Sequence, residues 1–211
     1  MTEETWFGPA WVFLAYLVGS IPSTYLVARV RGAIEVLRLA SRKASELDAH
    51  ILLTAHAGPR WSGVAGVADV VKALLFALAS GWVGFEPPWQ AAAGVALVAG
   101  YCWPPYASRF AGRGLAVAAG VSLALLPLPT LVFGLLTLGG VALGATGLWS
   151  TIGLLSIPLT AWLLDAPGAL VAMAAAILAL ILLRRIEGLG RAEGVPLARA
   201  ALRRAVFDRT S

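Results

Sequence analysis

The sequence predicts an all-α protein, a polytopic bundle of about seven transmembrane helices with an amphipathic helix on the cytoplasmic membrane surface. Hydrophobic residues make up 59% of the 211-residue chain and charged residues only 13%, and the mean hydropathy is +0.83. A soluble domain averages roughly 25% charged residues, so this composition leaves little room for a separate soluble domain. Apolar segments of near membrane-crossing length also follow one another between short polar breaks.

These apolar segments predict the individual spans. We expect them at about 9–28, 63–83, 89–106, 115–126, 130–143, 149–164 and 168–183. The fourth and fifth are short, so the Pro127–Pro129 region is either a loop or a re-entrant break, and six spans are the alternative to seven. The first five residues are acidic and no suitable cleavage site follows, which predicts a retained first span and not a signal peptide.

Basic residues predict the orientation in the membrane. They lie between the first two spans, between the third and fourth, and after the seventh: Arg29, Arg31, Arg38, Arg42, Lys43 and Arg60; Arg109 and Arg113; Arg184, Arg185, Arg191, Arg199, Arg203, Arg204 and Arg209. With seven spans all these segments share one side, which the positive-inside rule makes cytoplasmic, with the N-terminus outside. This placement accounts for the pI of about 10.0, so no nucleic-acid partner is expected.

The chain is predicted to form one transmembrane domain at 1–195, with an amphipathic insertion at about 31–57 and a basic cytoplasmic tail at 196–211. Apolar residues of the insertion recur at three- and four-residue steps from Ile34 to Ile51, with charged residues on the other face. Gly58-Pro59 is expected to end this helix. Such basic helices either face solvent or bind anionic lipid headgroups, and we expect the headgroups.

Two features are candidates for function from their residue types alone. The turn Gly112–Gly114 combines backbone N–H groups with a guanidinium group, which suits a phosphate, although a loop that only fixes topology has the same composition. Asp69 and Lys72 lie three residues apart inside the second span, and form either a functional site or a self-neutralising structural pair. His50, His56 and Cys102 do not make a convincing metal site, so no metal or cofactor is expected, and both histidines are expected at the surface.

Four segments together carry a family resemblance: Gly19-Ser-Ile-Pro22 with Tyr25-Leu26; Asp69-x-x-Lys72; Tyr101-x-Trp103-Pro104 with Ala111 to Val117; and Arg184 to Arg191. In these segments the chain resembles the bacterial integral-membrane acyl-phosphate:glycerol-3-phosphate acyltransferases. The corresponding family motifs are Gly-Ser-Ile-Pro-x-x-Tyr-Leu, Asp-x-x-Lys, His-x-Phe-Pro with Gly-Gly-Lys-Gly-Val-Ala-Thr, and Arg-His-x-Glu-Asn-Ile-x-Arg. The resemblance covers most of the chain, in the same order.

The chain also departs from the family pattern. The Gly-Ser-Gly-Asn-x-Gly-Ala-Thr-Asn loop that follows the first span in the family is absent. Tyr101 replaces the motif histidine, Arg113 the lysine and Val117 the threonine; in the last motif Arg185 replaces histidine and Gly188 asparagine. These departures leave two functions open, an acyltransferase and a non-catalytic lipid- or partner-binding relative. A small transporter ranks last, because no clear inverted repeat supports it.

The resemblance implies transfer of a fatty acyl group from acyl phosphate to glycerol 3-phosphate, which forms lysophosphatidic acid for phospholipid synthesis in the bacterial plasma membrane. Because acyl phosphate carries a good leaving group, the main tasks are to hold two phosphate-bearing groups and to align the acceptor hydroxyl. The expected catalytic residues are Ser20, Lys72 and Arg113, where Ser20 has a second interpretation as a helix-packing contact. The expected phosphate-binding residues are Arg109, Gly112, Arg113, Gly114, Arg184, Arg185, Glu187 and Arg191.

Overall fold

The computed structural model describes residues 4–35, 49–105, 112–143 and 146–189, and within these ranges the regular structure is helical, with no strand. The helices are α1 Glu4–Gly19, α2 Ser23–Val30, α3 Ala49–Ala57, α4 Pro59–Trp82, α5 Pro87–Cys102, α6 Leu115–Leu125, α7 Pro127–Ala142, α8 Thr146–Leu163 and α9 Gly168–Leu189. Each predicted span coincides with one helix or, for the first span, with the pair α1 and α2. The prediction of an all-α bundle is confirmed.

The first predicted span is divided by a proline. Helix α1 ends at Gly19 and α2 begins at Ser23, with Pro22 extended between them at φ −74° and ψ 127°. Proline has no N–H to donate to the carbonyl four residues earlier, so the helical hydrogen bonding stops here. Even so, Phe7–Val30 and α4 are each 24 residues of apolar helix, which is long enough to cross a bilayer.

Glycines let α1 and α5 pack closely, and the two helices run in parallel, since a Cβ added at Gly8 would overlap the Trp89 ring near the start of both. A Cβ added at Gly19 would overlap the Leu97 carbonyl oxygen, and one added at Gly100 would overlap the Tyr16 carbonyl oxygen. Only residues without a side chain allow two helix backbones to approach this closely. The ends of α1 and α5 that follow these contacts therefore lie side by side.

Helix α4 runs antiparallel to α1. Its C-terminal half meets the start of α1, where Trp11 Nε1 donates to Ser80 Oγ at 2.9 Å and the Trp11 ring stacks on Phe76. Its N-terminal half therefore lies beside the break between α1 and α2. Helix α6 packs along α4 through Gly120, where an added Cβ would overlap the Val70 carbonyl oxygen.

Helix α9 packs parallel to α5 and completes the core. An added Cβ at Gly94 would lie 2.8 Å from Met173 Sδ, and further along both helices Trp103 lies beside Arg184. The buried side chains between α5, α6, α8 and α9 form the main hydrophobic core: Leu97, Val98, Val117, Val121, Leu154, Ile157, Met173, Ile177 and Ile181. Helices α7 and α8 pack mainly against each other.

The Pro127–Pro129 region starts a helix and is not a loop. Leu126 alone separates α6 from α7, and α6 is only 11 residues long. At about 1.5 Å per residue, α6 extends about 17 Å, roughly half of the hydrocarbon core. The structure therefore shows a one-residue break between two helices at this point, and a re-entrant course in the membrane stays a prediction.

The predicted amphipathic insertion is described in part. Residues 36–48, and the basic tail from residue 190 onward, lie outside the described residues. The predicted stop is confirmed, because α3 ends at Ala57, Gly58 takes a φ of +91°, and Pro59 begins α4. Helix α3 folds back on α2 and α4, and its fully buried Leu53 packs against Ala28 and Ala65.

Candidate active site

A lysine donates a hydrogen bond to the backbone carbonyl that the break between α1 and α2 leaves without its helical partner. In a continuous helix the Tyr25 N–H would bond to Ile21, but it bonds to the Pro22 carbonyl instead, at 3.1 Å. Lys72 Nζ donates to the Ile21 carbonyl oxygen at 2.6 Å and to Asp69 Oδ1 at 3.1 Å. Lys72 therefore ties the second span to the Gly-Ser-Ile-Pro break of the first.

Asp69 is fully buried and accepts from two segments of the chain. Besides Lys72, its Oδ1 accepts from the Ser23 backbone N–H at 3.2 Å and from the Ser23 hydroxyl at 2.7 Å. His50 Nε2 lies 3.5 Å from the other carboxylate oxygen, Oδ2. A buried carboxylate needs such partners, because the charged form is otherwise poorly solvated. The expected pair of Asp69 and Lys72 is thus part of a larger cluster.

Tyr101 joins this cluster from the C-terminal end of α5. Its Oη lies 2.9 Å from His50 Nε2, and Lys72 Nζ lies 5.7 Å from its ring centroid. The expectation of a surface position for His50 is met only in part: α3 folds back on α4 and turns the imidazole toward the cluster, where it is 22% exposed. His56, on a different face of α3, is exposed as expected, and its Nδ1 lies 2.9 Å from the Leu52 carbonyl oxygen.

The glycine–arginine–glycine turn packs directly on α5. A Cβ added at Gly112 would lie 2.7 Å from Tyr101 Cε1 and 2.9 Å from Tyr101 Oη, and one at Gly114 would lie 2.8 Å from Cys102 Sγ. Gly114 also has a φ of +81°, which favours glycine. Since α6 begins at the next residue, the backbone N–H groups of its first turn lie beside a partly exposed Arg113.

Arg184 reaches the same end of the bundle from α9. It is largely buried, and its guanidinium carbon lies 5.8 Å from the Trp103 ring centroid. The Trp103 carbonyl oxygen accepts from Tyr16 Oη at 2.9 Å. One turn before Arg184, Ile181 lies 3.9 Å from the Cβ position of Gly114. Trp103 therefore lies between α1 and α9, next to the turn.

The predicted site residues divide into four groups, of which Ser20 alone forms the last. The structure brings together Lys72, Gly112, Arg113, Gly114 and Arg184. Arg109 and Arg191 lie outside the described residues, and for Arg185 and Glu187 only their place on the backbone of α9 is described.

Ser20 has a different environment. It is fully buried, its hydroxyl donates to the Tyr16 carbonyl oxygen at 2.7 Å, and its backbone nitrogen lies at the Gly100 contact. This geometry favours the packing interpretation, and Ser23 is the serine that contacts the charged cluster.

Sequence reasoning missed three members of the site. Ser23 follows the motif proline and could have been suspected from that position, and Tyr101 stands at a motif position of the resemblance. No local signal marks His50, because its contacts depend on how α3 folds back. In the described ranges, no group of three or more His, Cys, Asp or Glu side chains is arranged to hold a metal ion.

The arrangement suits binding of phosphate-bearing molecules. Backbone N–H groups at the start of α6, the guanidinium groups of Arg113 and Arg184, and the Lys72 ammonium all lie at one end of the bundle. Planar guanidinium groups and helix N-termini are common phosphate ligands. The hydroxyl of Tyr101 adds a neutral donor beside the turn.

Comparisons with known proteins give one consistent result. A family model described as glycerol-3-phosphate acyltransferase matches residues 9–192. Glycerol-3-phosphate acyltransferase 4 of Dehalococcoides mccartyi (strain CBDB1) is 35% identical over 117 residues, which are 56% of this chain and 49% of that protein. The chain thus spans about half the length of that relative. The glycerol-3-phosphate acyltransferase of Geobacter sulfurreducens is 30% identical over 180 residues, covering 84% of this chain and 90% of the relative.

Two crystal structures of PlsY (YgiH), an integral membrane glycerol 3-phosphate acyltransferase, share the fold. The TM-score is 0.73 for its lysophosphatidic acid form and 0.75 for its glycerol 3-phosphate form. Both are 26% identical to this chain, and the matched region covers 87% of this chain and 90% of the PlsY chain. The match of the family model to nearly the whole sequence, together with this likeness of fold, establishes that the chain belongs to the glycerol-3-phosphate acyltransferase family.

Proposed function

We propose that this protein is a membrane enzyme that transfers a fatty acyl group from acyl phosphate to glycerol 3-phosphate and so forms lysophosphatidic acid. The observation that carries the proposal is the juxtaposition of Lys72, Tyr101, the Gly112–Gly114 turn and Arg184 at one end of the helix bundle. The solved forms of PlsY named for glycerol 3-phosphate and lysophosphatidic acid correspond to the acceptor and the product of this reaction. They favour the enzyme over a non-catalytic relative.

The proposed reaction needs no nucleophile from the protein. The acceptor hydroxyl oxygen forms a bond to the acyl carbon, and the bond between that carbon and the phosphate oxygen breaks. The hydroxyl proton leaves with inorganic phosphate. Because phosphate is a good leaving group, alignment of the two substrates and stabilisation of negative charge can supply most of the rate enhancement.

We assign the phosphate-binding role to the turn and to α9. The backbone of Gly112 and Gly114 with the Arg113 guanidinium would hold one phosphate, and Arg184 would approach from the opposite side across Trp103. Lys72 and Arg113 are the proposed catalytic residues, through stabilisation of the charge that develops on the acyl oxygen and the leaving phosphate. Arg185 and Glu187 lie on the last turns of α9. Arg109 and Arg191 lie outside the described residues, and their part in phosphate binding stays a prediction from the sequence.

Ser20 contributes indirectly in this proposal. Its buried position beside Gly100 holds α1 against α5, and the next residue, Ile21, presents the carbonyl that receives Lys72. Small residues at such contacts set the distance between membrane helices. Ser20 therefore helps to fix where Lys72 lies.

We also propose that the site faces the cytoplasm, with the N-terminus outside. Exposed Arg29, Arg31 and Arg60 lie at the same end of the bundle as the site, and positive charge favours the cytoplasmic side. Single cysteines at Arg60 and Glu86, in a Cys102→Ala background, test this orientation. In intact cells a membrane-impermeant maleimide should label the Glu86→Cys protein and not the Arg60→Cys protein, and the reverse pattern would refute it.

The activity can be tested with purified protein in nanodiscs. Palmitoyl phosphate and labelled glycerol 3-phosphate should give lysophosphatidic acid and inorganic phosphate in equal amounts. Arg113→Ala should lower kcat/KM about 10- to 100-fold, since charged hydrogen bonds contribute roughly 1.5–3 kcal/mol, whereas Arg60→Ala, at an exposed arginine, should match the wild type. No lysophosphatidic acid above the Arg113→Ala level, over a range of acceptors, would refute the proposal.

A further inference from the structure

An imidazole from outside the family motifs reaches the centre of the site. His50 lies on α3, in the segment that stands where the family has its glycine-rich loop. Its Nε2 lies 2.9 Å from Tyr101 Oη and 3.5 Å from Asp69 Oδ2. The imidazole is 22% exposed, whereas the Asp69 side chain and Tyr101 are buried. His50 therefore covers the cluster on its solvent side and contacts both groups.

The Asp69 carboxylate favours one direction for the bond between His50 and Tyr101. Its Oδ1 accepts from Ser23 and Lys72, while Oδ2 has no hydrogen-bond partner within the described part of the chain and lies nearest to His50 Nε2. A carboxylate only accepts hydrogen bonds, so it stabilises a proton on the facing nitrogen and disfavours a lone pair there. In that tautomer Nε2 donates to the Tyr101 oxygen, and the Tyr101 hydroxyl does not donate to the imidazole.

Tyr101 places this donor at the glycine turn. Its Oη lies 2.9 Å from the position that a Gly112 Cβ would take. The hydroxyl can lie this close to the turn because glycine has no side chain there. Lys72 Nζ, at 5.7 Å from the Tyr101 ring centroid, adds positive potential on the same side. A phosphate bound by the turn would thus meet the Tyr101 hydroxyl together with the backbone donors.

We infer that His50 is a positioning residue, which donates from Nε2 to the Tyr101 oxygen and so makes the Tyr101 hydroxyl a hydrogen-bond donor for the phosphate of glycerol 3-phosphate at the Gly112–Gly114 turn. The inference rests on the proposed function, because it names the acceptor substrate of that same site. Tyr101 stands at the position where the family motif has a histidine. In this chain the imidazole comes from His50 on α3, which contacts the Tyr101 hydroxyl.

Four variants test the inference. His50→Ala removes the imidazole, His50→Gln keeps an N–H donor, and Tyr101→Phe removes the hydroxyl. His56→Ala is the matched control, since His56 is an exposed histidine on the same helix. We expect His50→Ala to raise KM for glycerol 3-phosphate about ten-fold with kcat changed less than about three-fold, as for loss of a hydrogen bond made before the chemical step.

The conservative variant and a double variant separate positioning from a structural effect. His50→Gln should bring KM to within about three-fold of the wild type, and His56→Ala should leave it unchanged. Because His50 acts through Tyr101, His50→Ala should add no further increase in KM to Tyr101→Phe. Multiplicative effects of the two changes, or equal KM values for His50→Ala and His56→Ala, would overturn the inference.

Calorimetric binding of glycerol 3-phosphate to the detergent-solubilised protein distinguishes failure of the inference from failure of the proposed function. If the wild type binds glycerol 3-phosphate but forms no lysophosphatidic acid, the reaction is wrong, and a ten-fold weaker affinity of His50→Ala with recovery in His50→Gln still supports the role of His50. If the wild type is active and a normally folded His50→Ala binds equally well, only the inference fails. Absence of both binding and transfer in the wild type would refute both.

Discussion

Replacement of Lys72 by methionine separates a structural from a catalytic role for the intramembrane charge pair. The change removes two hydrogen bonds from Nζ, to the Ile21 carbonyl oxygen at 2.6 Å and to Asp69 Oδ1 at 3.1 Å. The fully buried Asp69 would then keep only Ser23 and the more distant His50 as partners. Methionine fills a similar volume, so the loss of charge is the main perturbation.

The magnitude follows from burial. Removing one partner of a buried ion pair costs roughly 3–5 kcal/mol. The Lys72 side chain is 20% exposed, and His50 Nε2 lies 3.5 Å from the same carboxylate. We therefore expect the lower end, about 3 kcal/mol. At about 2–4 °C per kcal/mol for a chain of this size, the midpoint of thermal unfolding should fall by about 6–12 °C.

The double variant Asp69→Asn, Lys72→Met is the matched control. It removes both charges and keeps a side-chain oxygen for Ser23, so its stability should return to within about 1 kcal/mol of the wild type. Acyl transfer should stay low, because the proposed catalytic cation is still absent. A double variant that regains both stability and activity would show that Lys72 serves only the fold.

The assay can use the chain's single cysteine, Cys102, which is buried beside the Gly114 turn. A thiol-reactive dye that fluoresces on coupling reports its exposure as the protein unfolds in detergent. An unchanged midpoint for Lys72→Met would refute the reasoning, because the buried carboxylate would then not need this partner.

Two further predictions concern the turn and α9. Gly112→Ala should lower kcat/KM at least about ten-fold, because the added Cβ would lie 2.7 Å from the Tyr101 ring and displace the ring or the turn. Gly134→Ala is the control, since nothing lies within 4 Å of a Cβ added there. Equal transfer rates in the two variants would contradict the prediction. Arg184→Lys should raise KM about three- to ten-fold in the same assay, because lysine lacks the planar, bidentate donor pair that arginine presents beside Trp103; a KM equal to that of the wild type would exclude Arg184 from phosphate binding.

Local sequence signals were enough for the helices and for several members of the site. The apolar runs predicted helices α1, α2 and α4 to α9, since hydropathy and length select such segments. The three-residue spacing of Asp69 and Lys72 predicted their shared helix face, and the glycines around Arg113 predicted a turn with backbone donors. Gly58-Pro59 predicted the end of the helix before α4.

Other features depended on contacts between distant segments. Sequence reasoning selected Ser20 and missed Ser23. Only the packing of α1 on α5 buries Ser20 at the Gly100 contact, and only the antiparallel α4 brings Asp69 to Ser23. His50 lies in the segment with least resemblance to the family, and its periodicity predicted only a membrane-surface helix. Its role follows from the fold of α3 against α4.

The sequence by itself determined which segments are helices in the membrane, where the cations lie along the chain and which turn lacks side chains. These properties depend on residues close together in the chain, through hydropathy, helix periodicity and the conformational freedom of glycine. The tertiary structure alone decided that Lys72 binds the Ile21 carbonyl, that His50 reaches Tyr101 and that Arg184 packs beside Trp103. Those contacts join residues far apart in the chain, and they form only because small residues let specific helices approach closely enough for their ends to meet.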